Sequence, residues 1–579
     1  MTLPFKNNLL VGALIALIAG LIFIPFIGNC PLFDWDEVNF AECAREMVIS
    51  KKYAEVQLNY QPFWEKPPLF IWMQAACMNV FGVNEFSARL PNALCSVFTL
   101  ITLFIIGKKF YSQKFGIIWS LLYTATLLPH LYFKSGLIDP WFNLFIFISV
   151  YNCIQFINNP NGKLQLGNSF FAGVCLGLAV LTKGPAALVI VALIFLVYFI
   201  LSKSLALFTT KVLWLFIFTT ILVSGSWFLV EFLNGNENII KEFIEYQIRL
   251  LKTEDAGHGG PFIYHFVVLL IGCFPASLIF ISSYFKKTAL TPYQLLVRKI
   301  MLILFWVVLI LFSIAKTKIV HYSSLCYFPI TFISTIGIVM FFKELKLKSY
   351  LKIMYWIITS IITVLFIAVG FINLFKNKLI NSNLIDDIFA KENLKADVHW
   401  SGFEWLVGVV FLIGAIILFI AIQKQKVKWV NYSLISFVLF IYFAIILIIP
   451  KVEQYTQHAA VEFYQTCAAK KCYVETHLFK SYAYLFYSNR LPSDYQNPQQ
   501  LKDIEAFLIE DEKLGNSRYT SYSKANGSWM KNGLIDRPVY MVAKIQDEKS
   551  MFTNLEFKKL YSKNGFSFFE RLPKATQGK

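Results

Sequence analysis

Residues 34–68 gather Asp34, Asp36, Glu37, Glu42, Arg45, Glu46, Glu65 and Lys66 in a chain of which only 15% is charged. So many ionisable groups in one loop, beside segments apolar enough to dissolve in lipid, point to chemistry or recognition there. Structural roles compete for some of them. Asp34 fits a helix N-cap, with Glu37 three residues on completing a capping box, and Asp36 in a first turn would complement the helix dipole. Three other loops carry ionisable groups. The segment FKSGLIDPW holds Lys134 and Asp139, residues 232–261 hold Glu245, Arg249, Glu254, Asp255 and His258, and AKTKIVHY holds Lys316, Lys318, His321 and Tyr322. Asp139, just before Pro140, could equally cap a span. His258, among Gly257, Gly259 and Gly260, could simply be solvated on a pliable backbone. The cations at 316–322 fit a lipid phosphate or ordinary snorkelling to the interface.

These residue types meet two needs of one reaction. A departing phosphate needs cations as charge builds on its oxygens, and Lys66, Arg249 and Lys318 qualify. A nucleophile needs a carboxylate to take its proton, and Asp36 or Asp139 qualifies. Neither a phosphate loop nor GxGxxG occurs, so no nucleotide cofactor is expected and an activated donor would itself be a lipid. The alternative is a flippase or transporter of a lipid-linked sugar. Such a protein should carry its charges near the midplane of broken spans, whereas here they collect in loops, which favours an enzyme.

The elements that must position these residues follow from composition. The 579 residues are 57% hydrophobic and 17% aromatic, against about 25% charged residues in an ordinary soluble domain, so the chain reads as a polytopic α-helical membrane protein. Apolar runs long enough to cross about 30 Å of hydrocarbon lie near 9–27, 87–107, 113–131, 140–157, 169–183, 184–201, 212–231, 262–284, 298–315, 321–342, 351–373, 403–422 and 430–449, about thirteen spans within a membrane domain of residues 1–450. The net charge of +18 comes from lysines at alternate span ends. It therefore argues for membrane lipids and topology rather than nucleic acid: the N-terminus is expected in the cytoplasm and the C-terminal segment outside. In the first outer loop, residues 28–86, a helix is expected at 35–48. A second should open at Pro67 and stop at Gly82, apolar enough to lie in the interface. Lys183-Gly184-Pro185 reads as a structural break between two spans. Residues 451–579 are polar, with strands expected in CYVETHLF, YAYLFYS, VYMVAKI and FSFFERL and a helix near 496–514. They suit a small soluble α/β domain that covers the site or engages an acceptor. Cys467 and Cys472 could pair there if the compartment is oxidising.

The pieces DEVNFAECAREM, FWEKPPLFIW, FGVNEFSARLPNAL, LIDPWF, GLAVLTKGPAAL and LFSIAKTKIVHY occur in that order up to about residue 330. In them the chain resembles the integral-membrane GT-C glycosyltransferases, in the branch of the aminoarabinose lipid A transferases and the dolichyl-phosphate-mannose protein mannosyltransferases. The resemblance implies an inverting transfer of a sugar from a polyprenyl phosphate, undecaprenyl phosphate in bacteria, to a lipid A-like, glycan or protein acceptor. It places the site on the periplasmic face of the inner membrane. Asp36 would be the essential first-loop aspartate and Asp139 the second acidic position. Lys66, Arg249 and Tyr322 would contact the carrier phosphate. Glu65, with His258, would share a divalent metal, zinc by resemblance. Asn39 stands where the lipid A transferases have arginine, three residues after the aspartate, which leaves sugar and acceptor open.

Overall fold

The computed structural model describes residues 8–574 except 64, 160–163, 203–209, 253–258, 286–289, 496–497, 514–517 and 555. Among the described residues nine helices are long and apolar enough to cross a membrane, from Glu85–Phe110 to Val427–Gln454. Two more apolar stretches are bent pairs, Gln113–Thr124 with Leu127–Phe133 at 78° and Tyr264–Gly272 with Ala276–Tyr284 at 109°. The second break falls at Pro275, whose ring and missing N–H interrupt a helix. Asn8–Phe23 and Ala186–Ser202 are shorter, at 16 and 17 residues. Each of the thirteen apolar stretches thus folds as a helix or a bent pair around one aromatic-rich core.

The first long loop folds as the Asp36–Ser50 helix, a two-residue hairpin (Gln57–Leu58 with Gln61–Pro62) and the Leu69–Phe81 helix. The last of these starts two residues after Pro67 and ends at Gly82, whose φ of 80° is left-handed. The expected capping box is absent. Trp35 is the N-cap of Asp36–Ser50 and makes no side-chain cap; Asp34 instead accepts from the Tyr482 N–H at 3.0 Å. Glu37 is drawn away because a buried guanidinium, that of Arg89, offers it two hydrogen bonds of 2.8 Å.

Beyond the last span the chain builds a four-stranded sheet in the order Tyr473–His477, Val539–Lys544, Phe566–Arg571, Lys558–Lys563, with the first pair parallel and the others antiparallel. Residues 483–487, expected as a strand, form a helix. All five are buried, so this segment has no solvent face to impose strand alternation. The helix docks on the first loop: Tyr487 Oη accepts from the Leu32 N–H at 2.6 Å. Cys467 and Cys472 are both buried free thiols.

Candidate active site

Separate helices and loops bring the ionisable groups together. Asp36 opens the Asp36–Ser50 helix and Asp139 the Asp139–Asn158 helix. The two starts are tied through the next residue, Glu37, which accepts from Arg89, from the Phe33 N–H at 2.8 Å and from the Gly136 N–H at 2.6 Å. Burial opposes the charge on Glu37, but the Arg89 guanidinium and the two amides outweigh it and hold the carboxyl below its usual range. A Cβ on Gly136 would lie 2.9 Å from Glu37 Cγ, so only glycine lets the Asp139 loop approach this closely.

Lys183 is the last residue of the Gln165–Lys183 helix, which stops at Gly184, φ 92°. Its ammonium lies 2.6 Å from Asp139 Oδ1 and over the Tyr322 ring at 4.8 Å. Consecutive antiparallel spans put the start of one beside the end of the next, which is why residues 44 positions apart meet. Asp139 Oδ2 is buried and accepts no hydrogen bond among the described residues. It faces His321 Nε2 at 3.7 Å, and the same nitrogen lies 3.6 Å from Asp36 Oδ2. One imidazole therefore stands between two carboxylates.

A cavity of about 540 Å³ opens onto this cluster. Asp36, Asp139, Glu65, Lys66, Arg249 and Tyr322 all line it, as do Asn39, Lys183 and His321. Lys66 Nζ and Arg249 Cζ sit over the same Tyr246 ring, at 5.1 and 5.2 Å. Tyr246 and Arg249 lie one turn apart on the Glu237–Lys252 helix, so that helix delivers both ring and guanidinium. The cavity has carboxylates and an imidazole able to hold a proton, with a pair of cations able to meet a phosphate.

Two expectations end differently. Lys318 does not line the cavity. Its ammonium donates to the carbonyls of Phe312, Ser313 and Ala315 at 3.1, 2.6 and 2.6 Å, which are left without intrahelical partners where the Pro292–Ile314 helix ends. His258 lies outside the described residues. Glu65 is on the cavity wall; among the described residues no three His, Cys, Asp or Glu side chains converge as metal ligands. Lys183 and His321 were missing from the expected site. The lysine looks like part of a helix break, and the histidine like an interface anchor.

The family model for dolichyl-phosphate-mannose-protein mannosyltransferase matches residues 65–229. Among curated proteins the chain is 24% identical over 369 residues to an undecaprenyl phosphate-alpha-4-amino-4-deoxy-L-arabinose arabinosyl transferase of Shewanella sediminis, covering 63% of this chain and 67% of that one. It is also 24% identical to the second such transferase of Proteus mirabilis, over 54% and 56%. The matches thus span between about half and two thirds of the relatives' lengths. The crystal structure of ArnT from Cupriavidus metallidurans bound to undecaprenyl phosphate superposes with a TM-score of 0.71 over 99% of both chains at 16% identity. Its apo form gives 0.73 over 97% of both at 15%. At such identities the superposition speaks for the fold, from the first span through the C-terminal sheet. Family model, relatives and fold agree: the chain is similar to the ArnT-like, protein-mannosyltransferase-like integral-membrane GT-C glycosyltransferases.

Proposed function

We propose that the protein transfers a sugar from undecaprenyl phosphate, or a similar polyprenyl phosphate, to an acceptor hydroxyl or phosphate at the outer face of the inner membrane. One observation carries this reading: Asp36, Asp139, Lys66, Arg249 and Tyr322, from separate segments of the chain, line one cavity. In it, Lys66 and Arg249 hold the carrier phosphate, with the Tyr322 hydroxyl as a further donor. As the C1–O bond to phosphate breaks, charge grows on the phosphate oxygens, and two preorganised cations stabilise it. Asp36, the more exposed carboxylate, orients the acceptor and takes its proton where it has one. Asp139, neutralised by Lys183, fixes His321 and through it Asp36. The acceptor attacks from the face opposite the phosphate, so the transfer inverts configuration. Lysines at alternate span ends support a cytoplasmic N-terminus and a periplasmic domain beyond residue 450.

All of these steps are carried by side chains, and none is routed through a metal. Chelation of the native protein tests the divalent metal that the family resemblance implies: loss of turnover restored by zinc would place Glu65 and His258 in the reaction, and equal turnover before and after chelation would remove it. The decisive assay gives membranes containing the protein a labelled undecaprenyl-phosphate sugar. The enzyme should release the carrier phosphate and form a new glycosidic product; a flippase would move label across the membrane and form none.

A further inference from the structure

The C-terminal domain carries a second group of reactive side chains, and none of them lines the cavity. Cys467, next to last in the His458–Ala468 helix, and Cys472, just before the Tyr473–His477 strand, are 0% and 1% exposed. Residues 468–471 between them are all exposed, so one surface turn covers both sulfurs. Cys472 Sγ meets two kinds of neighbour. The Cys467 carbonyl, at 3.7 Å, would accept the proton of a neutral thiol, while Arg490 Nη2, also at 3.7 Å, would stabilise a thiolate.

The surroundings of Arg490 favour the thiolate. Its guanidinium is 3% exposed, and a cation out of water needs an anion. Among the described residues it donates to the Ser488 hydroxyl at 2.8 Å, to the Ser488 carbonyl at 3.3 Å and to the Cys472 carbonyl, and no carboxylate lies at ion-pair distance. Those oxygens satisfy its N–H groups but carry no net charge, which leaves the Cys472 sulfur as the partner that can ionise. A hydrogen bond from the Cys467 thiol, together with the Arg490 charge and that of Lys470, outweighs burial and pulls the Cys472 thiol down to about 6; the same bond pushes Cys467 up.

The segment that holds this guanidinium also grips the first loop. The Arg490 carbonyl accepts from Tyr60 Oη at 2.7 Å, and Asn489 Oδ1 accepts from Arg45 Nη1 at 3.1 Å. We propose that Cys472 and Cys467 form a redox site. The Cys472 thiolate, paired with Arg490, attacks an organic disulfide, and Cys467 then closes an intrachain disulfide that leaves Arg490 without its anion and loosens residues 489–490 from the first loop. In the first step Cys472 bonds to one sulfur of the disulfide and expels the other as a thiolate, which takes the Cys467 proton. Cys467 then attacks the Cys472 sulfur and expels the second thiolate, which is protonated by water. One external disulfide is reduced to two thiols as one intrachain disulfide forms. The topology proposed above puts the pair in an oxidising compartment.

The test uses the full chain purified in detergent, so it stands apart from both topology and turnover. Iodoacetamide labelling, mapped by mass spectrometry, should reach Cys472 of the reduced protein with a midpoint near about pH 6, well below that of an ordinary thiol. Arg490→Gln should slow that labelling about tenfold at neutral pH, and Arg490→Lys should restore part of it. Oxidised glutathione should convert the native chain to the Cys467–Cys472 disulfide. It should stop at a glutathione adduct on Cys472 in Cys467→Ser, and leave Cys467 unreacted in Cys472→Ser. Amides of residues 57–62 should exchange faster in the oxidised chain, with the spanning helices unchanged, and return to native on reduction. No reaction of Cys472 with either reagent, labelling with the midpoint of an ordinary thiol, native labelling in Arg490→Gln, an adduct on Cys467 in Cys472→Ser, or identical exchange in the two forms would each overturn the inference.

Discussion

Asp139 and Lys183 show how side chains distant in sequence settle each other's roles. The ammonium lies 2.6 Å from Asp139 and largely out of water, so in the proposed function Asp139 positions His321 while the half-exposed Asp36 meets substrate. Lys183→Met should therefore strand a buried carboxylate, a change that typically costs about 3–5 kcal/mol. Transfer should fall at least tenfold with a lowered melting temperature, and Lys183→Arg should recover part of both. On the donor side, Lys66→Ala and Arg249→Ala should each weaken undecaprenyl phosphate binding about tenfold, read by equilibrium binding on purified protein. Sequence made Asp36, Asp139 and Lys66 legible because loops rich in charge between apolar spans are uncommon. Lys183 stayed hidden behind Gly184 and Pro185, although one signal was present: opposite charges at the start of one span and the end of the next come together in an antiparallel pair.

Elements are held by charges that composition alone assigns wrongly. Glu37 has the spacing of a capping box, yet it is the buried partner of Arg89 and the anchor of the Gly136 turn; nothing local announces a partner 52 residues on. Lys318 looks like a phosphate ligand, yet it terminates a helix. Arg89→Met should leave Glu37 buried without its cation. The expected loss is about 3–5 kcal/mol, seen as a lower melting temperature with transfer reduced in parallel. In the C-terminal sheet, Glu475 accepts from its neighbour's Thr476 N–H and from Tyr484 Oη, but burial dominates and pushes its carboxyl up to about 7. An acid whose folded value is raised binds its proton more tightly folded than unfolded. Its contribution is complete below about pH 4.5 and is lost as pH rises through about 7, by up to about 3 kcal/mol. The protection factors of the Tyr473–His477 amides, corrected for intrinsic exchange, should thus fall between pH 5 and 8 in the native chain, and that fall should flatten in Glu475→Gln.

Across the whole molecule, hydrophobic runs made every helical stretch of the membrane bundle readable, because a lipid solvent leaves backbone groups no partner but their own helix. What sequence did not disclose is how the C-terminal domain sits on the first loop. That contact is built from single long-range bonds: Tyr60 Oη donates to the Arg490 carbonyl at 2.7 Å, Arg45 Nη1 to Asn489 Oδ1 at 3.1 Å and Gln457 Nε2 to the Leu32 carbonyl at 2.7 Å. Arg45→Ala should loosen it, giving faster amide exchange at residues 36–50 and slower transfer while the bundle helices keep native protection. Bundle, loop and domain together line one pocket that holds Asp36, Asp139, Lys66 and Arg249, and the proposed function makes Asp36 its proton acceptor and Lys66 with Arg249 its phosphate cradle. Turnover of labelled undecaprenyl-phosphate sugar by Asp36→Asn, with carrier binding measured on the same sample, tests that most directly. Binding should remain native while product formation drops about a hundredfold or more; native turnover in Asp36→Asn, or loss of carrier binding together with turnover, would contradict the account.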